Sequence, residues 1–560
     1  MLRAAPAIAI AVLIGPILFG LLATLLPAFG WFPALGGTAF SFEPWSMLFA
    51  QPGILRSALL SYATGLLTAL IALALVAGFL AGWLHSRAFA TFTHLLSPLL
   101  SVPHAAAAFG LAFLLAPSGW LMRLVSPELT GFTRPPDWLV IHDPLGLTMM
   151  AGLIAKELPF LFLVSLAALP QIQARDFTRV ASGLGYGRMA AFLHGVWPQL
   201  YPQIRLAAFA VIAYSSSVVD VALILGPTNP APLAARLVTW MNDPDLTMRF
   251  QASAGAVLQL LVTGAALLTW IAGEKIVTAG ARNIRKSGRL FAEDRLPRGG
   301  FALAVALAAI AVFAGLGLLG LWSFSGYWGF PDALPRALSL RIWEGQLTGL
   351  GRPLGITFVV GLAATLAAII LALACLEREA RTQRSAGNRA LLLLYLPLIV
   401  PQASFVFGLQ LFFLFAGIGT SFWALALVHL VFVLPYVFLS MSDAWRAWDK
   451  RYAQSGQSLG RGLNAIFWRV RLPMLLRPVL AASALGFAVS VSQYLPTLLI
   501  GAGRWPTITT EAVALASGGD RRLIGVYAFL QMALPFAGFA TALAVPALVF
   551  MRRAGMRASI

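Results

Sequence analysis

The residues with the clearest chemical potential are three charged side chains that lie inside long apolar runs. Lys156 and Glu157 are adjacent, and Asp220 lies in a later run. A charge at the centre of a membrane costs about 2.5–3.5 kcal/mol on insertion scales, so charges that stay there serve a function. Adjacent helical residues point about 100° apart, so at least one of Lys156 and Glu157 needs a partner on another helix or water in a cavity. Asp220 is a possible partner for Lys156. Two interpretations stay open: a solute-path or gating site, and an ion pair that holds helices in register.

Two apolar runs also carry a short cluster of polar and aromatic side chains. The clusters are Tyr214, Ser215, Ser216, Ser217 and Asp220 in one run, and Ser490, Ser492, Gln493 and Tyr494 in the other. Serine inside an apolar helix often lets two helices approach closely and hydrogen-bond. The clusters therefore have two possible roles: hydrogen bonds between helices, or the lining of a polar passage.

Other kinds of site find little support in the sequence. No G-x-x-x-x-G-K-[ST] segment occurs, so the chain is not expected to bind or hydrolyse ATP, and no catalytic triad can be argued. The single cysteine, Cys375, allows no internal disulfide. The histidines are scattered and form no H-E-x-x-H spacing: His85, His94, His104, His142, His194 and His429. We therefore predict no catalytic residue, no metal site and no cofactor held by this chain.

Composition places these residues in a membrane protein. Of 560 residues, 59% are hydrophobic and only 11% are charged, whereas about a quarter of a soluble domain is charged. Lipid is therefore the expected solvent. The net charge of +19 suggests nucleic-acid binding at first sight, but the basic residues lie between apolar runs, as in cytoplasmic loops of membrane proteins. No nucleic-acid partner is expected.

Twelve apolar runs are long enough to span a bilayer, which takes about 20 residues. They lie near 5–28, 57–84, 95–116, 147–170, 203–226, 252–274, 301–322, 352–376, 391–415, 421–441, 477–500 and 524–551. The first is too long for the core of a signal peptide and lacks a clear cleavage site, so we interpret it as a retained span.

The basic residues between the runs predict the orientation. They are Lys275, Arg282, Arg285, Lys286, Arg289, Arg295 and Arg298; Arg378, Arg381, Arg384 and Arg389; and Arg552, Arg553 and Arg557. With twelve spans all three groups lie on one side, which is therefore cytoplasmic, as are both termini.

The chain contains an internal repeat. Val102-Pro103 precedes Phe109-Gly110 by the spacing with which Val400-Pro401 precedes Phe407-Gly408. Leu158-Pro159-Phe160 corresponds to Leu434-Pro435-Tyr436, and the order Leu184-Gly185, Pro198, Gly226 recurs as Leu459-Gly460, Pro473, Gly501. Several matches in one order indicate a duplicated unit of five to six helices, an arrangement common in transporters because a path between related halves can open to either side.

Each half also has one cytoplasmic stretch that is too long for a turn and too patterned for disorder. These stretches are 171–202 and 443–475, and each is predicted to be a helix, a glycine break and a second helix. Gly185 and Gly460 supply the backbone freedom that a sharp bend needs. Pro198 and Pro473 are predicted to end the second short helix and to start the return to the membrane.

This pattern resembles the coupling loop of type-I importer permeases of the ABC superfamily, in which EAA is followed by three residues, a glycine and a later proline. The matching positions are Arg179, Ala181, Leu184, Gly185 and Pro198 in the first half, and Gln454, Gly456, Leu459, Gly460 and Pro473 in the second. The acidic residue of the EAA part is absent from both halves. The resemblance therefore implies the geometry of docking on an ATPase and leaves the contacts open.

The resemblance implies an all-α integral membrane fold with about twelve helices in two homologous halves, closest to permeases of the thiamine, ferric-iron and polyamine type. The implied divisions are 1–56, a first helix and periplasmic loop; 57–274, the first permease domain; 275–351, a basic linker, an extra helix and a periplasmic loop; and 352–550, the second permease domain. It further implies a bacterial inner-membrane location, a separate ATPase dimer that holds ATP and Mg, a periplasmic binding protein, and a small solute.

The same resemblance implies that the spans after the coupling loops line the solute path. Those spans contribute Tyr214, Ser217, Asp220, Ser492, Gln493 and Tyr494, and the charged pair Lys156 and Glu157, in the span before the first loop, completes the predicted path residues. The main alternative is a secondary transporter of twelve helices driven by an ion gradient, for which only Lys156, Glu157 and Asp220 could serve as coupling groups. A membrane-embedded enzyme is a third reading, but no catalytic cluster supports it.

Overall fold

In the computed structural model of the protein, residues 2–288, 290–383 and 387–550 are described. Arg289, Arg384, the tail residues Arg552, Arg553 and Arg557, and the side chain of Arg389 lie outside this description, so the orientation prediction rests there on sequence alone. In the described ranges the protein is built from helices and contains no strand, only two isolated β-bridges.

The helices fall into two series separated by a short linker. The first series is α1 Ala5–Ala28, α2 Glu43–Ala50, α3 Ile54–Trp83, α4 Arg87–Leu96, α5 His104–Leu115, α6 Trp120–Val125, α7 Leu147–Ala168, α8 Ala174–Gly183, α9 Arg188–Ala191, α10 Trp197–Ser217, α11 Asp220–Leu225, α12 Leu233–Met241 and α13 Met248–Lys286. The second series is α14 Arg295–Ser323, α15 Arg341–Thr382, α16 Asn388–Ile399, α17 Gln402–Phe415, α18 Phe422–Arg446, α19 Arg451–Ser458, α20 Leu463–Ile466, α21 Leu472–Met474, α22 Leu476–Val491, α23 Leu495–Gly501, α24 Ile508–Ala514 and α25 Arg521–Val549.

Nine helices of the described residues are long and apolar enough to cross a membrane, and up to eleven if each of two bent helix pairs is one span. These nine match nine of the twelve predicted runs, and the all-α membrane fold is confirmed. The other three runs, 203–226, 391–415 and 477–500, each contain a backbone break. In the second of these runs, α16 and α17 meet at a 91° bend next to Pro401, and the residue before a proline is disfavoured in a helix.

The two halves repeat one another in their hydrogen bonding as well as in their order of helices. At the start of α12, the backbone N–H of Leu233 donates to Ser61 Oγ of α3 at 3.0 Å. At the start of α24, the N–H of Ile508 donates to Thr357 Oγ1 of α15 at 2.9 Å. Equivalent helices are thus joined by equivalent contacts, and the predicted duplication is confirmed.

Each half sends its first helix to pack against the other half. Helix α1 crosses α17, where Gly20 lies against the backbone of Phe405 and Gly408 lies against the backbone of α1. Helix α14 crosses α5, where a Cβ on Gly315 would lie 2.7 Å from the carbonyl carbon of Gly110. Small residues allow such close crossings between membrane helices, where tight van der Waals packing replaces the hydrophobic driving force.

This exchange explains why α1 and α14 fall outside the repeated units predicted at 57–274 and 352–550. The repeated Phe-Gly pairs noted in the sequence, Phe109-Gly110 and Phe407-Gly408, supply the glycines at the two crossings. The halves are therefore held together at their outer helices. The seam between them remains available for a cavity.

The glycine crossing can be tested with two valines on one helix. We expect Gly315→Val to lower the stability of the protein by about 1–3 kcal/mol, because the added side chain has no room against the backbone of α5. Gly317→Val is the matched control, since a Cβ there meets no atom within 4 Å. Thermal unfolding of both variants in detergent measures the difference. Equal melting temperatures for the two variants would contradict a close crossing.

Candidate solute cavity and docking loops

A cavity of about 150 Å³ lies at the seam of the two halves. All eight predicted path residues line it: Lys156, Glu157, Tyr214, Ser217, Asp220, Ser492, Gln493 and Tyr494. These residues come from both halves and from positions far apart in the chain. The structure therefore brings the whole predicted set together, although the role of the set in transport stays a prediction.

Four backbone breaks meet at this cavity. They are at Val102-Pro103 before α5, Val218-Val219 between α10 and α11, Val400-Pro401 between α16 and α17, and Ser492 to Tyr494 between α22 and α23. A broken helix inside a membrane leaves backbone polar groups unpaired, which is tolerated where they are buried in protein or face a cavity that holds polar partners. Discontinuous helices around a central site are a recurrent way to bind solutes in transporters. The breaks therefore support a polar site at the seam.

Glu157 has a partner on another helix. Its Oε1 lies 2.9 Å from Nε2 of His104, the first residue of α5. The ring of His104 also packs against the ring of Tyr214, with centroids 4.5 Å apart. His104 thus contacts both Glu157 and the aromatic side chain of Tyr214 in the cavity wall.

Lys156 does not pair with Asp220, and that prediction is wrong. Its Nζ donates to the backbone carbonyl oxygens of Leu99 and Leu100, at 3.0 and 3.3 Å. These carbonyls belong to the short 3₁₀ turn Pro98–Ser101 that precedes the break at Pro103. Because the helix breaks here, these carbonyl oxygens are free to accept hydrogen bonds from the Lys156 ammonium group. The ammonium group is therefore paired without a carboxylate. This contact favours a structural role for Lys156.

Asp220 is a buried carboxylate at the start of α11 that interacts with His104 and with the backbone N–H groups of Asp220 and Val221. It is only 7% exposed, lines the cavity, and forms no ion pair with any residue that the structure describes. Gln493 also presents an oxygen, Oε1, that finds no hydrogen-bond partner in the described part of the chain. A buried carboxylate of this kind is costly unless a polar or positively charged group comes to it. The cavity therefore offers acceptors that are open to a solute.

The serine hydroxyls are mostly used inside the helices. Ser217 Oγ donates to the Ala213 carbonyl and Ser492 Oγ to the Ala488 carbonyl, each at 2.8 Å and each one turn earlier. Ser216 Oγ lies 2.8 Å from Thr263 Oγ1 of α13 and so joins two helices. Interhelical bonding thus accounts for Ser216. Ser217 and Ser492 keep their lone pairs beside the cavity.

Sequence reasoning missed four cavity residues, although the repeat pointed to them. His104 and Gln402 each follow one of the two repeated Val-Pro pairs, and Phe160 and Tyr436 each end one of the two repeated Leu-Pro-aromatic segments. The repeated segments mark the breaks and the cavity wall in both halves. No group of three or more His, Cys, Asp or Glu side chains that could hold a metal ion occurs in the described ranges.

The two loops form matched corners on the same end of the helix bundle. In the first, α8 ends at Gly183 and Gly185 has a φ of 85°. In the second, α19 ends at Ser458 and Gly460 has a φ of 75°. Glycine adopts this left-handed conformation without the penalty that a side chain brings. The predicted helix, glycine bend and helix are therefore present in both halves.

Each corner presents an exposed leucine, and the EAA positions lie alongside it. Leu184 is 67% exposed and Leu459 is 79% exposed. Arg179 and Gln454 are exposed, whereas Ala181 and Gly456 are half-buried. At Gly456 a Cβ would lie 2.9 Å from Ile466 Cγ1, so the second loop has a tighter junction where the first has alanine. The side chains at the first position point to solvent in both loops, where a partner protein can reach them.

The role predicted for the prolines is correct in the second half only. Pro473 lies in α21, and a 73° bend separates this segment from α22. Pro198 is instead the second residue of α10, which continues from the short helix through a π-helical turn at Phe192–Val196. Proline is tolerated in a first helical turn because its missing N–H would have no partner there.

The charged side chains of the two loops are arginines, aspartates and Lys450. Burial, with Arg285 nearby, lowers the pKa of His194 in the first loop, so this histidine is neutral at neutral pH. In the second loop the hydrogen bond from Arg451, at 2.7 Å, lowers the pKa of Asp449. Both loops therefore keep a fixed charge pattern in the physiological range.

Comparisons with known proteins agree with this architecture. Residues 364–554 match the family described as the binding-protein-dependent transport system inner membrane component. The chain is 32% identical to the inner membrane ABC transporter permease protein YnjC of Escherichia coli, over 93% of each chain. It is 24% identical to the spermidine/putrescine transport system permease protein PotC of Haemophilus influenzae, over 31% of this chain and 68% of the relative. It is 32% identical to the molybdenum transport system permease protein ModB of Mycobacterium bovis, over 20% of this chain and 47% of the relative.

The different contacts of Lys156 and Asp220 predict different effects on stability. Lys156→Met leaves two buried carbonyls without their donor, and we expect it to cost about 1–3 kcal/mol. Asp220→Asn keeps the shape of a side chain that has no ion pair, and we expect the melting temperature in detergent to stay within about 2 °C of the original. A larger loss for Asp220→Asn than for Lys156→Met would contradict this division of roles.

Proposed function

The chain belongs to the ABC transporter permeases, the inner membrane components of binding-protein-dependent transport systems, and we propose that it carries both ATPase-docking loops and the whole solute path on one polypeptide. It is a multi-pass inner membrane protein and the permease subunit of an importer. A separate ATPase dimer docks on the loops at 171–202 and 443–475. A periplasmic binding protein delivers a small solute to the opposite face, and both termini are cytoplasmic.

The matched pair of loops is the observation that carries this proposal. Two corners with the same left-handed glycine and the same exposed leucine have no evident use in a single chain. Exposed apolar side chains on a bend of this kind suit docking into a cleft of another protein. Two equivalent corners suit a partner with two equivalent clefts, such as a dimer that binds ATP and Mg itself.

The seam cavity is the proposed solute path. It lies between the two halves, at the breaks of four helices, where relative movement of the halves changes access. The alternative of a gradient-driven transporter requires coupling groups in the membrane. Lys156 is held by backbone carbonyls and Glu157 by His104, so Asp220 is the one carboxylate of the predicted cluster without an ion pair. One such group gives weaker support to gradient coupling than two docking loops give to an ATPase.

The charge of the cavity bears on the kind of solute. Two relatives are named for spermidine/putrescine and for molybdenum, so the relatives do not agree on one solute. The cavity has Glu157 and Asp220 in its wall, while its lysine is turned toward backbone carbonyls. This balance supports a solute that is positively charged or rich in hydrogen-bond donors where it meets Asp220.

Charged substitutions at the two corners test the docking. We expect Leu184→Asp and Leu459→Asp each to weaken co-purification of the ATPase at least tenfold and to reduce ATP-driven uptake in proteoliposomes, because each places a charge in an apolar contact. Leu129→Asp is the control, since Leu129 is 83% exposed. It lies between the third and fourth predicted spans, 95–116 and 147–170, and twelve spans with cytoplasmic termini place this connection on the periplasmic side. Uptake that proceeds on a proton gradient and ignores both corner substitutions would support the secondary transporter instead.

Asp220 provides a separate test of the path. We expect Asp220→Asn to reduce uptake of the solute at least tenfold while the ATPase still binds, because the substitution removes the one cavity charge without an ion pair and leaves the loops intact. Uptake by Asp220→Asn equal to that of the original protein would exclude Asp220 from the path.

A further inference from the structure

The linker between the two halves covers the first docking loop. The backbone N–H of Gly187 donates to the carbonyl oxygen of Leu290 at 3.1 Å. The N–H of Met189, in the first turn of α9, donates to Asp294 Oδ2 at 2.9 Å. Free N–H groups at the start of a helix are natural partners for a carboxylate. The linker therefore holds the start of α9 through two hydrogen bonds, one at Gly187 and one at Met189.

The same linker residues are anchored in the membrane-embedded part of the protein. Asp294 is 7% exposed and lies 3.4 Å from Arg298 on the first turns of α14. The guanidinium group of Arg298 lies over the ring of Trp83 at 5.2 Å, and the Trp83 indole N–H donates to the carbonyl oxygen of Arg298 at 3.1 Å. A continuous series of contacts thus runs from α9 through Asp294 and Arg298 to the end of α3.

Among the described residues the second loop is held in a different way, by the end of α15 in its own half: Arg446 pairs with Glu379 at 3.2 Å and Arg471 with Glu377 at 2.9 Å. Gly462 corresponds to Gly187, and both have ordinary negative φ values, −67° and −60°. A Cβ on Gly187 would overlap the carbonyl oxygen of Phe291, whereas a Cβ on Gly462 would meet no atom within 4 Å. The two loops therefore have the same backbone but different surroundings.

We propose that the linker segment 290–298 is a clamp that fixes the first docking loop to α3 and to α14, the first helix of the other half, whereas the second loop is tied to α15 of its own half. Asp294 and Gly187 are positioning residues in this clamp. The two loops then transmit movement of the ATPase into different helices. The first acts on α3 and α14, and the second acts on α15 and, through the bend at Leu475, on α22. This proposal rests on the proposed function, because it assigns a consequence to loops that dock an ATPase.

Matched glycine substitutions test the clamp in the full-length permease reconstituted with its co-purified ATPase. Amide hydrogen exchange by mass spectrometry compares peptides of the two loops. We expect the amides at 187–190 to exchange at least tenfold more slowly than those at 462–465. Gly187→Ala should remove this difference, and Gly462→Ala should leave both loops unchanged.

Transport per ATP hydrolysed is the functional measurement. We expect Gly187→Ala to lower this ratio severalfold with the ATPase still bound. The control is Gly299→Ala in α14, which lies outside both docking loops and should keep the ratio, since a Cβ there meets no atom within 4 Å. Asp294→Asn retains an acceptor for the Met189 N–H, whereas Asp294→Ala does not. We therefore expect Asp294→Asn to preserve much of the exchange protection and of the coupling that Asp294→Ala loses. If Gly187→Ala does not fold, the comparison of these two variants tests the clamp. Equal exchange in the two loops of the original protein would overturn the clamp, as would faster exchange in Gly187→Ala at unchanged coupling. Failure of the original protein to bind any ATPase would reject the proposed function instead, and the exchange difference between the loops would still decide whether the clamp exists.

Discussion

The structure depends on the two crossings at which each half lends its first helix to the other. Gly20 and Gly408 allow α1 to lie against α17, and Gly110 and Gly315 allow α5 to lie against α14. Close packing of this kind is the main source of helix association in a lipid solvent. Because these outer helices hold the two halves together, the interface at the centre of the protein does not need close packing. A cavity with broken helices and buried charge can therefore exist at the seam.

The duplication gives a common scaffold on which the two halves place different chemistry. The residue after the repeated Val-Pro pair is His104 in one half and Gln402 in the other. Likewise, the ion pair of Glu157 and the lysine that holds the free carbonyls occur in the first half only. The same asymmetry appears at the loops, where only the first is covered by the linker in the described residues. Symmetric helices thus carry an asymmetric site.

Much of this organisation was predictable because lipid and duplication leave clear signals. Apolar runs of about 20 residues predict spans, and repeated spacings around Gly185 and Gly460 predict matched bends, as the φ values confirm. The eight predicted path residues line one cavity because polar side chains in apolar runs must share the few polar places that a membrane protein has. The docking role of the loop residues and the path role of the cavity residues stay predictions.

Other features depend on tertiary contacts that no local pattern encodes. The break at Val218-Val219 contains neither glycine nor proline, so an apolar run hides it. Lys156 was expected to seek a carboxylate, and its partners are carbonyls that become free only when the chain breaks before α5. The linker carries an obvious positive charge, but its contact with Gly187 depends on how α14 packs against α3. Each of these three features depends on which segments lie next to each other in the folded protein.

The central claim is that one chain provides both docking loops and the whole solute path, and native mass spectrometry of the purified transporter tests it most directly. We expect a complex of one permease chain with two ATPase chains, in which hydrolysis of ATP increases when the binding protein and its solute are added. A complex with two permease chains for two ATPase chains, or a permease that retains no ATPase, would contradict this expectation.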